Sequence, residues 1–224
     1  MTYQSGRYAI NEGAWYRVDE SFKLSIEETF QSSVQPWITS PPPLRKIYDQ
    51  HGNGSFQTEA SYNSELAQHF GFILLDQMLI EIPGLQRSGF EACDLLDIQG
   101  KRLIHVKKSS RRSSVLSHFF KQGGNSAQQL KRFPAAWDAL FNAIARQYGQ
   151  SLAQSVLDLD RQDLRRWTVE FWIADSPRVN GEHNIPFFSK ISFRDEASSL
   201  LAMNYDVSVK FIALEPMAQQ STSE

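Results

Sequence analysis

The sequence is poor in cysteine. Cys93 is the only one, so no intrachain disulfide can form, and zinc sites built on several Cys ligands are excluded. A reducing, cytoplasmic setting is the expectation. Long apolar runs are also missing. The longest, Phe70 to Leu75, falls far short of the roughly 20 residues that a transmembrane helix needs, so no membrane partner is expected. Met1 to Gly13 is polar and offers no apolar stretch of the signal-peptide kind. What remains is ordinary in bulk. The chain has 224 residues, 41% hydrophobic and 21% charged, enough for one large folded domain or one domain with a substantial extension. The net charge of −2 by itself says nothing about nucleic acid.

One long stretch lacks acids altogether. From Ile98 to Trp137 there are nine bases (Lys101, Arg102, Lys107, Lys108, Arg111, Arg112, Lys121, Lys131, Arg132) and no Asp or Glu. The segment before it, Ser61 to Asp97, has six acids (Glu65, Asp76, Glu81, Glu91, Asp94, Asp97) and one base, Arg87. Acids followed directly by bases suit a metal site that faces a polyanion: the acids hold the cation and the bases meet phosphates. The bland alternative is two solvated faces that partly neutralise each other.

Three regions are predicted: a lead-in over 1–60 that could dock onto another domain, a core over 61–216 and a flexible tail over 217–224. In the lead-in, Ala14 to Val18 is expected as a short strand and Phe22 to Ser32 as a helix begun near Ser25. Pro36 and Pro41-Pro42-Pro43 break up the chain beyond that helix, and His51-Gly52-Asn53-Gly54 signals a turn or hairpin. A helix is expected over 63–80, capped by Asn63 or Ser64 and stopped by Pro83-Gly84. Phe90 to Ile98 and Arg102 to Lys108 alternate as two strands around Gln99-Gly100, a β-hairpin. Two helices, Val115 to Lys121 and Ser126 to Tyr148, are predicted on either side of Gly123-Gly124-Asn125, with a break at Pro134. Arg166 to Ala174 and Phe187 to Phe193 are predicted strands, Glu196 to Met203 a short helix, and Val207 to Leu214 a final strand. The fold class is therefore α/β, in the α+β sense of a mixed sheet flanked by helices, with helix-hairpin-helix-strand order.

The hairpin carries the chemistry. Glu65 falls on the helix before it, Asp94 on its first strand, and His105-Val106-Lys107 on its second. A strand has period two, so His105 and Lys107 project to one side. Helix glutamate, strand aspartate, then a residue and a lysine one apart resembles the PD-(D/E)XK nuclease plan, a restriction-endonuclease-like core. The departure is His105, which stands where that plan has a carboxylate. Histidine ligates metals but brings no negative charge. A second resemblance rests on Glu91-x-Cys93-Asp94-Leu95-Leu96, Ile104-His105-Val106-Lys107-Lys108 and Leu116-Ser117-His118-Phe119-Phe120-x-Gln122-Gly123. These strings are similar to a family of uncharacterised, sporadically distributed bacterial proteins. That resemblance implies that His-x-Lys is the family's own version, and a role in bacterial defence or mobile elements.

The leading expectation is a metal-dependent nuclease acting on DNA rather than RNA, with Mg²⁺ or Mn²⁺ as cofactor. Asp94 with Glu65 or Glu91 would hold the ion, and Glu91 reaches it only through a bulge. Lys107 would stabilise developing charge or orient water, and His105 would act as ligand or base. Lys108, Arg111 and Arg112 are candidates for phosphate contact, with His118 and Gln122 beside them. Two alternatives stay open: a nucleic-acid-binding module with a degenerate site, and a protein-interaction scaffold. A homo-oligomer or partner protein is compatible with each. Cys93 and the aromatics Trp167, Phe171 and Trp172 are expected to pack a core.

Overall fold

The computed structural model describes residues 2–3, 6–11, 13–82, 89–110, 112–157, 167–177, 183 and 185–215. Strands β1 (Thr2–Tyr3), β2 (Gly6–Asn11) and β3 (Ala14–Arg17) form an antiparallel sheet. Helix α1 (Glu20–Ser33) comes next, capped by Asp19, whose side chain accepts from the amides of Ser21 and Phe22. A hairpin of β4 (Lys46–Tyr48) and β5 (Gly54–Phe56) uses the predicted His51 to Gly54 turn, with Gly52 at φ 77°. Helix α2 (Glu59–Phe70) leads into β6 (Ile73–Leu74), β7 (Leu79–Ile80), β8 (Phe90–Glu91), β9 (Leu95–Asp97) and β10 (Arg102–Lys108). Then come α3 (Ser113–Arg132), α4 (Pro134–Tyr148), α5 (Gln150–Leu157), β11 (Thr168–Asp175), α6 (Phe187–Ala202) and β12 (Asp206–Ala213).

The central sheet is mixed, in the order β12-β11-β10-β9-β6. The β6-β9 and β9-β10 pairs are antiparallel, and β10, β11 and β12 run parallel. The parallel strands need crossovers, which α3 to α5 and then α6 supply. Both sheet faces are covered. Leu103, Val169, Phe171 and Ile173 pack with Phe120, Phe193 and Leu200 from α3 and α6. Ile104, Val106 and Trp172 pack on the other side with Tyr62 and Leu66 of α2. Trp167, Phe171 and Trp172 are core residues as expected, and Cys93 is buried. A ladder of charges crosses the second face. Glu170 meets Arg102 at 3.3 Å and Lys210 at 3.1 Å, and accepts from the Trp172 indole at 2.8 Å. Among the described residues no helix is long and apolar enough to cross a membrane.

Several expectations are corrected, each by a contact of higher order than the local pattern. The helix predicted over 63–80 runs four residues earlier. Thr58 caps it, accepting from the Ser61 amide at 3.2 Å, and Gly71 ends it at φ 72°. Ile73 and Leu74, which extended the helical pattern, instead pair with Leu96 and Leu95 of β9. The predicted break at Gly123-Gly124 is a continuous helix. A Cβ on Gly123 would lie 2.6 Å from the Phe171 ring, and one on Gly124 would lie 2.2 Å from Glu196, so both glycines serve close approach. The predicted strand over Phe187 to Phe193 is the first half of α6. Ser189, Phe193, Glu196, Ala197 and Leu200 are buried at helical spacing, a period that shows only over the longer window.

The lead-in is built into the core. Ile26 and Phe30 of α1 are fully buried, and the Trp37 indole donates to the Phe211 carbonyl at 2.6 Å. Leu44 bridges to Leu214 beyond the end of β12. The predicted helix stop at Pro83-Gly84, the bases Arg87 and Arg111, Arg166 and the 217–224 tail lie outside the described residues.

Candidate functional site

Antiparallel pairing of β9 with β10 ends at Leu95 and Ile104. Asp94 stands at that point and is fixed on three sides. Its amide donates to the Ile104 carbonyl at 3.0 Å, and its carbonyl accepts from the Leu75 amide at 2.8 Å. Its carboxylate accepts from the Val106 amide at 2.6 Å, where the ladder would otherwise continue. The side chain thus replaces a strand at the edge of β10, and the C-terminal end of β10 opens there. Burial pushes the Asp94 carboxyl up from 3.8 to about 7; the Val106 amide opposes this, and the negative charges of Asp76, Glu91 and Glu59 add to it.

Lys107 lies on the same stretch of β10. Its ammonium pairs with Glu59 at 2.6 Å, and the other Glu59 oxygen accepts from the Lys108 amide at 3.2 Å. Glu59 opens α2, where a carboxylate is favoured by the helix dipole. Glu91, at the end of β8, accepts from the Gln122 side chain at 3.0 Å, and its backbone carbonyl accepts from the Ser126 hydroxyl. Burial raises the Glu91 pKa, Asp76 raises it further, and the Gln122 hydrogen bond and the Lys107 charge lower it. Residues 92–94 leave strand geometry between β8 and β9, and this irregularity lets Glu91 face the same charges as Asp94.

The predicted site residues therefore separate. Asp94, Lys107, Glu91 and Gln122 come together. Glu65 does not join them. It is one turn and a half further along α2, in an ion pair with Arg45 and a 3.1 Å hydrogen bond from Gln57. The Arg45 guanidinium holds its carboxyl below the usual range. Glu59 occupies the helix position instead. Sequence reasoning passed over it because the helix start was set at 63. Thr58 followed by Glu59, read with Gly71 as a stop, is the signal that locates it.

His105 does not reach the cluster either. Its ring is buried against Phe171, with centroids 5.8 Å apart, and beside Phe119 at 6.5 Å. Burial lowers its pKa to about 4, and among the described residues its Nε2 has no hydrogen-bond partner. Alternation put it on the Lys107 side correctly, but that side is roofed by α3 at residue 105. Lys108 places its ammonium 3.9 Å from the centroid of the Phe56 ring. Arg112 is exposed at the N-terminal cap position of α3. His118 and Gln122 are exposed one turn apart on α3 and line a groove of about 670 Å³ that also contains Glu91.

The donors suit a hard divalent cation in kind. They are carboxylate oxygens, and Asp94 carries an excess of negative surroundings that a cation would relieve. Among the described residues no three His, Cys, Asp or Glu side chains gather closely enough to enclose an ion.

Fold and site together define an α+β protein with a mixed five-stranded sheet, helices on both faces, and a polar cluster at the open edge of its third strand. The chain belongs to the family of unknown function DUF6119, whose model matches residues 1–213. Comparison with curated proteins finds no match, and comparison with solved structures finds none.

Proposed function

We propose that the chain is a metal-dependent nuclease, or a domain derived from one, acting on DNA, with the site at Asp94, Glu91, Glu59 and Lys107. The observation that carries the reading is the meeting of a helix glutamate, an aspartate just before β9 and a lysine near the C-terminal end of β10. Glu59 pairs with Lys107, and Asp94 is bound to the amide of the residue just before that lysine. On this reading Glu59 would take the role expected of Glu65 in the PD-(D/E)XK plan that the sequence resembles, and position 105 offers no carboxylate. The helix-hairpin-helix-strand order supports a restriction-endonuclease-like core.

Asp94 and Glu91 would hold Mg²⁺ or Mn²⁺, which when bound supplies Lewis-acid activation of a phosphate oxygen and of water. Lys107 would stabilise charge on the phosphate, and Glu59 would hold the ammonium in place until the substrate arrives. Gln122 orients the Glu91 carboxylate. Lys108 and Arg112 would meet the flanking backbone. A role in bacterial defence is the biological setting of this proposal.

Incubation of wild type and Lys107→Ala with plasmid and single-stranded DNA, in Mn²⁺ and in EDTA, tests it. Metal-dependent cutting that the variant loses is expected; no cutting by wild type on any substrate rejects the reading. A second reading, a nucleic-acid-binding module with a degenerate site, is favoured by the packing of His105 into the core. It predicts salt-sensitive binding that EDTA leaves unchanged.

A further inference from the structure

The groove beside the cluster differs in chemistry from a phosphate track. One wall is a stripe on α3, His118, Gln122, Asn125 and Gln129, at the i, i+4, i+7, i+11 spacing of a single helix face. The opposite wall is apolar, with Ile80, Ile82 and Phe90. Among the described lining residues Lys121 is the one Lys or Arg, and Glu196 holds its ammonium at 2.9 Å. The described lining thus combines neutral hydrogen-bonding side chains and the Glu91 carboxylate with an aromatic and aliphatic face. Glu91 and Gln122 belong both to this groove and to the cluster, so the two are continuous.

We propose that the groove receives the unpaired bases of a single-stranded nucleic acid whose phosphate lies at Lys107; this rests on the nuclease reading of the cluster. Amide side chains pair with base edges, and Phe90 with its aliphatic neighbours offers a surface for stacking. A duplex shows its bases only at groove edges and is read by an element inserted into it, whereas this site is a recess. Its volume of about 670 Å³ suits a short run of nucleotides. The cations Lys108 and Arg112 stand outside the lining, which places backbone contact and base contact on different surfaces.

The test is fluorescence anisotropy with labelled 12-nucleotide single-stranded DNA, the same sequence as RNA, and the DNA duplex. It uses the full chain in EDTA, with Asn125→Leu and Gln129→Leu as variants and a thermal melt of each as the folding control. Both positions are on the groove face, so unchanged melting is expected. The expected result is tighter binding of the single strands than of the duplex by about tenfold or more, and a loss of about tenfold in each variant. The two single-stranded probes show whether the sugar matters. Equal or tighter duplex binding, binding unaffected by both variants, or no binding at all overturns the proposal. Metal-dependent cutting measured alongside separates the two readings. Cutting without single-strand preference removes this inference and leaves the nuclease; single-strand binding without cutting does the reverse.

Discussion

The Lys107 ammonium lies 2.6 Å from the Glu59 carboxylate, joining the C-terminal end of β10 to the first turn of α2. The pair is about one-third exposed on both sides, so its contribution to stability is small, under about 1 kcal/mol. Its importance is positional. It fixes the Lys107 ammonium one residue beyond the Val106 amide that Asp94 accepts from.

Lys107→Ala is therefore expected to fold as wild type does and, on the nuclease proposal, to lose about 10²–10³-fold in metal-dependent cleavage. Glu65→Gln is expected to leave cleavage unchanged, since Glu65 pairs with Arg45 outside the cluster. Rates on one DNA substrate at saturating Mn²⁺ compare the two. Equal losses in both variants would refute this division.

Asp94 and His105 are expected to give opposite pH dependences. The Asp94 pKa rises from 3.8 to about 7 on folding, so its contribution to stability is fully present below pH 3.8 and is lost as pH rises to 7. The His105 pKa falls from 6.5 to about 4, so its contribution is present above pH 6.5 and is lost as pH falls to 4. Between about pH 4 and 6.5 the slopes oppose each other, each at most about 1.4 kcal/mol per pH unit. Asp94→Asn should make stability rise with pH in that window, and His105→Leu should make it fall. Urea denaturation at several pH values reads both slopes.

Glu170→Ala should be among the most destabilising substitutions in the sheet. It removes the carboxylate from between Arg102 and Lys210 and leaves the Trp172 indole without its acceptor. The loss is expected on the order of 3 kcal/mol, because Lys210 is only 12% exposed while Arg102 keeps Asp97. Equilibrium unfolding measures it, with Glu65→Ala, whose Arg45 partner is exposed, as the comparison at under about 1 kcal/mol.

Gly123→Ala should destabilise more than Gly124→Ala. Either gains about 1 kcal/mol in helix propensity. At 123 the new methyl meets the Phe171 ring, which Phe119, Phe120 and Phe193 wall in, and overpacking costs about 1–3 kcal/mol. At 124 it meets the end of the Glu196 side chain, which can swing aside. Melting temperatures of the two variants give the order.

The hairpin, β11, β12 and the mixed sheet were legible as runs of apolar, β-branched and aromatic residues, which β10 and β11 bury on both faces. Of the cluster, Asp94 and Lys107 were legible from the spacing, whereas period two sets Glu91 on the opposite face and only the irregularity at 92–94 brings it in. Glu59 was not, because the apolar series through Ile73 and Leu74 imitates a helix until β9 claims those residues as a strand partner. The placing of His105 was not legible either. Period two gives the side of a strand but not what packs on it, and at residue 105 that side is filled by Phe119 and Gly123 of α3. The start of α6 was misread for a related reason: the seven residues Phe187 to Phe193 fit both periods, and the buried positions on to Leu200 were needed to choose.

The paired glycines of α3 have a consequence for mechanics. With hydrogen atoms in place of side chains, the backbone of α3 itself bears on the Phe171 ring and on Glu196. A shift of the helix along its axis by one residue could drive the side chain of Gln122 against the Phe171 ring. The helix is keyed to its seat, and the spacing between its groove face and the cluster at the sheet edge is set by the seat rather than by anything in the groove.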